Sequence, residues 1–138
     1  MGTQHTLGLE NFEAQLTFEN DEIIAHFAGR EAWRISWADV DEIIIWRDES
    51  CSAGPLCFGL RTRNMKPGRY LGCNDATSGF EEALDEIDQH FENAYSRQWK
   101  DAVFPPMATQ WMVIWGEPTG RAERAEVLWP EAAYPETA

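Results

Sequence analysis

The side chains best suited to nucleophilic or metal chemistry are three histidines and three cysteines, and their spacing supports neither chemistry. His5, His26 and His90 are far apart, and none has a second His or Cys at the short interval a zinc site uses. His26 falls on the less buried face of a strand, and His90 falls at the rim of a helix. A catalytic Ser or Cys needs a base beside it, and no Gly-x-Ser-x-Gly elbow occurs. Cys51 lies in a loop, Cys57 and Cys73 lie in strands, and nothing around them signals a lowered pKa. The odd count, without a Cys-x-x-Cys pair, reads as reduced thiols in a cytoplasmic protein.

Carboxylates are plentiful, as Asp39, Asp41 and Glu42, as Asp48 and Glu49, and as Glu81 and Glu82. Acid–base catalysis needs two of them in different environments within one cleft. Neighbouring acids on a strand point to opposite faces, and Asp39 at a corner suits a turn or cap. No glycine-rich turn opens a helix to cradle a phosphate. The expectation is a non-enzymatic chain with no catalytic residue, metal or cofactor.

Charge says more. The formal charge is −13, with 24 acidic and 11 basic side chains. Residues 1–50 hold eleven acids and three bases, whereas residues 51–75 hold Arg61, Arg63, Lys66 and Arg69 against Asp75 alone. This balance repels nucleic acid phosphates and anionic membranes, and it steers a basic protein toward the chain. Two surfaces follow. Asp39, Asp41, Glu42, Asp48 and Glu49 bracket Trp46 and Arg47, and an aromatic and an Arg inside a charged rim are what interfaces use as anchors. The alternative is a core Trp beside a solvated acidic loop. The basic hairpin 57–73, with Arg61, Arg63, Lys66 and Arg69, would either grip a phosphoryl group or acidic peptide or neutralise acids of its own chain.

Period-2 alternation over 12–19, 22–28 and 31–37 predicts three strands, joined at Asn20-Asp21 and Gly29-Arg30. A short corner, Trp37-Ala38-Asp39-Val40, leads to a strand over 41–47 that is apolar on both parities, as a central strand is. Residues 56–62 and 69–73 form the next pair of strands, around a turn at 64–68. Ser78-x-x-Glu81 reads as a capping box, and Phe80, Leu84, Ile87 and Phe91 as the apolar face of a helix reaching about Trp99. Residues 110–115 resemble a strand. Residues 116–138 read as a tail after a single domain over 1–115; a short helix over 121–129 is expected there, with Trp129 and Tyr134 as docking residues. No run is long and apolar enough for a transmembrane helix, and the N-terminus lacks the pattern of a secretory signal.

The corner Ile35-Ser36-Trp37-Ala38-Asp39-Val40-Asp41-Glu42-Ile43, set between short antiparallel strands and followed by an amphipathic helix, resembles that of small bacterial pleckstrin-homology-like domains over about residues 12–95. The resemblance implies an α+β fold: an antiparallel sheet or barrel of about six or seven strands closed by one long helix, with a C-terminal extension. It also implies binding of a lipid, peptide or protein. Size, acidity and missing catalytic motifs are similar to those of bacterial immunity proteins, which block a cognate toxin. The leading expectation is therefore a protein-binding module for a basic partner, and the alternative is a lipid or phosphate binder using the hairpin.

Overall fold

The computed structural model describes residues 14–47, 56–96, 98, 111–119 and 126–131. Strands β1 (Ala14–Glu19), β2 (Glu22–Phe27) and β3 (Arg30–Ser36) form an antiparallel three-stranded sheet in sequential order. Both links have positive φ at their two central residues, 52° and 61° at Asn20-Asp21 and 54° and 79° at Ala28-Gly29. That is the turn handedness that matches strand twist. The second link lies one residue earlier than the sequence suggests, because Gly29 takes the second left-handed position and leaves Arg30 to open β3.

A 3-10 turn at Trp37–Asp39 redirects the chain into a second sheet. It comprises β4 (Val40–Arg47), β5 (Leu56–Thr62), β6 (Arg69–Asn74), β7 (Trp111–Gly116) and β8 (Glu126–Leu128), in the order β7-β4-β5-β6-β8. All pairings are antiparallel except β6 with β8. The fold is thus α+β, with two open sheets of three and five strands in place of one closed barrel of six or seven. β3 and β4 separate at the 3-10 turn, and among the described residues the β1 edge is met only by a bridge between Gln15 and Ser78.

β4 is central, and Ile43, Ile44 and Ile45 are all fully buried, as its two apolar parities require. Ile43 and Ile45 join Phe58, Leu60, Ile23, Ile35, Leu84 and Ile87 in the main core. The opposite parity gives the second face of the five-stranded sheet, where Glu42, Ile44, Tyr70 and Arg61 are also buried. Gly72 in β6 has no room for a side chain, since a Cβ there would sit 2.6 Å from Val127 of β8 and 2.9 Å from the Phe58 carbonyl.

Helix α1 (Phe80–His90) buries Phe80, Ala83, Leu84 and Ile87, and Phe80 packs on Phe58 with ring centroids 5.2 Å apart. The expected capping box does not form. Ser78 is instead held as a strand-like bridge, its N–H donating to Ala14 O at 3.1 Å and its carbonyl accepting from Leu16 N at 2.7 Å. The helix is therefore capped by Gly79, at φ 91° and without a side-chain cap bond. A Cβ there would lie 2.8 Å from Leu16 O. Gly79→Ala is expected to lower unfolding free energy by about 2 kcal/mol through left-handed strain and that clash. Ser78→Ala should cost less than about 0.5 kcal/mol, because the hydroxyl caps nothing. Urea titration of the two variants checks the pair.

The helix also stops short of Trp99. Phe91 adopts φ −124°, Asn93 and Tyr95 have positive φ, and the chain folds back along α1. Phe91 and Ala94 are drawn into the core, and Ser96 donates from Oγ to Leu84 O at 2.8 Å and from N to Asp88 Oδ1 at 2.6 Å. Tertiary packing here outweighs continued helical propensity. In the tail, Glu126–Leu128 forms a strand beside β6 where a helix is expected. Trp129 docks on Trp46 at a centroid distance of 5.9 Å, and Tyr134 lies outside the described residues. Among the described residues no helix is long and apolar enough to cross a membrane.

Candidate functional site

The acidic segment nominated from sequence divides on folding. Asp39 ends the 3-10 turn and is exposed. Asp41 pairs with the Arg61 guanidinium, whose Nη1 donates to both carboxylate oxygens at 2.6 and 2.7 Å. Glu42 turns inward and is 1% exposed, so it offers no surface to a partner. Trp46 is half-buried against Trp129, and Arg47 is half-buried at the end of β4. Asp48 and Glu49 lie outside the described residues. Trp46 thus packs on the sheet's second face while remaining only half-buried.

Glu42 is the best-built polar centre in the molecule. Thr119 donates to Glu42 Oε1 from its N–H at 3.1 Å and from its hydroxyl at 2.6 Å. The Tyr70 hydroxyl donates to Oε2. Gly68 N–H in turn donates to Thr119 Oγ1 at 3.2 Å. One carboxylate on β4 thereby ties the β5–β6 turn, β6 and the segment after β7 together. Burial, reinforced by the hydrogen bond to Glu42, pushes the Tyr70 phenol well above its ordinary pKa. A buried carboxylate is tolerable only when its lone pairs are met by donors, and three donors meet these. The arrangement latches β4, β6 and the segment after β7 together through one carboxylate. Tyr70 and Thr119 carry no sequence signal for this role, because they lie 28 and 77 residues from Glu42.

The basic hairpin is partly engaged within the fold. Arg61 is buried, and besides Asp41 it donates to Met65 O at 2.6 Å and Lys66 O at 3.4 Å. Arg63 donates to Ala38 O at 3.1 Å. Arg69 pairs with Glu126 across the β6–β8 ladder at 3.2 Å. Lys66 is exposed in the turn. Two of the four cations thus pair with acids of their own chain, Arg61 with Asp41 and Arg69 with Glu126.

Cys57 and Cys73 are buried, and burial pushes the Cys73 thiol well up, away from the thiolate a nucleophile requires. Cys51 lies outside the described residues. His26 bonds Thr17 Oγ1 at 2.9 Å. His90 stacks on Trp37 at 5.3 Å, beside a shallow cleft of about 300 Å³ that Phe91, Trp115 and Arg63 also line. The indole N–H groups of Trp33 and Trp37 are buried without a partner. No group of three or more His, Cys, Asp or Glu residues among the described residues could hold a metal ion.

The acidity that remains outside gathers on α1. Glu81, Glu82 and Asp85 are exposed and Glu86 is half-exposed. Glu82, Asp85, Glu86 and Gln89 form one wall of a groove of about 500 Å³, and Leu16, Thr17 and Phe18 of β1 form the other. The helix acids were legible as a dipole-matched first turn, but nothing in sequence sets them opposite β1. Compared with protein-family models, curated proteins and solved structures, the chain matches none.

Proposed function

We propose that this chain is a non-enzymatic, cytoplasmic protein-binding module that engages a basic partner, most specifically an immunity-type inhibitor of a bacterial toxin. The observation that carries the reading is the acidic groove between α1 and β1 in a chain of charge −13. A face of one charge sign steers an oppositely charged protein and raises its association rate. The basic hairpin, by contrast, has its arginines engaged within the fold, which disfavours the lipid or phosphate reading. The resemblance to pleckstrin-homology-like domains supports binding over catalysis at the level of analogy only.

The test is calorimetry and inhibition against purified basic toxin domains, beginning with the product of the gene found next to this one. The expected result is a one-to-one complex, loss of toxin activity, and an association rate that falls about tenfold or more between low and physiological salt. Absence of both binding and protection at low salt overturns the reading.

A further inference from the structure

The groove has a second property besides charge. β1 is an edge strand, and its peptide groups alternate between facing β2 and facing out. The outward groups at Ala14 and Leu16 are taken by Ser78, through Ser78 N to Ala14 O and Leu16 N to Ser78 O. Two residues further on, the same alternation turns the N–H and C=O of Phe18 outward, and no described residue accepts or donates there. The bridged edge therefore ends where the groove opens. Across that opening, Glu82, Asp85, Glu86 and Gln89 follow the i, i+3, i+4, i+7 stripe of α1, and no described basic residue lines it.

The geometry points to a docking site for an extended, lysine- or arginine-bearing segment of the partner protein, laid along the β1 edge at Phe18 with its cations toward Glu82, Asp85 and Glu86. The inference rests on the proposed reading as a binder of basic proteins and names the surface and the mode, strand addition to an exposed edge. Charge complementarity selects the occupant. A second copy of the chain would bring its own acidic stripe against this one, and like charges across an interface oppose pairing. Phe18, half-buried in the groove wall, offers an apolar contact for the uncharged side chains of such a segment.

The probe is a ten-residue synthetic peptide alternating Lys and Val, compared with its Glu–Val counterpart and with a Lys–Val peptide N-methylated at alternate amides. Binding is read by fluorescence anisotropy and by hydrogen exchange at Phe18. The Lys–Val peptide should bind at low salt and slow Phe18 exchange about tenfold or more. The double variant Glu82→Lys/Asp85→Lys, at exposed positions, should weaken it about tenfold or more while circular dichroism stays unchanged. The Glu–Val peptide should not bind, and the N-methylated one should bind clearly more weakly.

Four results would overturn the site: no binding at low salt, equal binding by the N-methylated peptide, equal binding to the charge-reversed variant, or Phe18 protection that rises with protein concentration alone, which would assign the edge to a second copy. The two proposals fail separately. Toxin binding that is unaffected by Glu82→Lys/Asp85→Lys removes the groove and leaves the binder, whereas groove binding of the peptide without any toxin binding removes the immunity reading.

Discussion

Glu42→Ala is expected to lower unfolding free energy by about 4 kcal/mol, the largest loss of any single polar change in the described fold. Removing the side chain takes away the carboxylate to which the Tyr70 hydroxyl and both Thr119 donors bond, and it leaves a void at a position 1% exposed. Each buried donor left unmet costs about 1–3 kcal/mol, and domains of this size have only about 5–15 kcal/mol in total. Urea unfolding should show a lower midpoint with an unchanged slope. Tyr70→Phe should cost less, about 1–2 kcal/mol, because Thr119 still serves the carboxylate. The double variant should fall short of the sum of the two, which is the signature of groups that act together.

The Tyr70 latch also carries a pH sign. Its phenol is held above its ordinary pKa by burial and by Glu42, so the folded state keeps a proton that the unfolded state releases from about pH 10 upward. The stabilisation is complete below that pH and is lost as pH rises toward the folded value. Alkaline titration should therefore destabilise the native chain more steeply than Tyr70→Phe.

Arg61→Ala is the second large effect, with an expected loss of about 3 kcal/mol. The guanidinium is 7% exposed and holds Asp41 with two short bonds and the Met65 and Lys66 carbonyls with two more. Its loss takes away the donor to the Met65 carbonyl in the β5–β6 turn, whereas the Lys66 carbonyl still accepts from Arg69 N at 3.1 Å. Asp41 is 31% exposed, so water partly recovers its charge, and the loss stays below that for Glu42. Arg61→Met with Asp41→Asn removes both charges while keeping volume, and it should cost only about 1–2 kcal/mol. A double variant as unstable as Arg61→Ala would show that the lost hydrogen bonds to Asp41 and the turn carbonyls, and not an uncompensated charge, set the cost.

Much of the backbone plan was readable. The strand readings located β2 to β6 to within a residue at their ends and the end of β1 at Glu19, the expected start at residue 12 lying outside the described residues, and the doubled apolar pattern of 43–46 marked an interior strand of the second sheet. Failures came where local signals met long-range demands. Ser78-x-x-Glu81 has the spacing of a cap, yet Ser78 was claimed by the β1 edge and Gly79 took over. Residues 126–128 lie in a segment rich in Ala and Glu with no strand alternation, yet they pair with β6, whose Gly72 admits Val127.

Charge shows the same division. The sequence by itself determined that the chain is strongly acidic, that its basic residues cluster in one hairpin, and that an amphipathic helix carries acids on its polar face, because composition and periodicity are local properties. Only the tertiary structure decided which charges are spent. It sent Glu42 inward to Tyr70 and Thr119, matched Arg61 to Asp41 and Arg69 to Glu126, and set Glu82, Asp85 and Glu86 across a groove from β1. The physical reason is that an ion pair or buried hydrogen bond depends on distances of a few ångströms between residues far apart in the chain. Strand register, sheet order and the fold-back after α1 set those distances, and residue types alone do not.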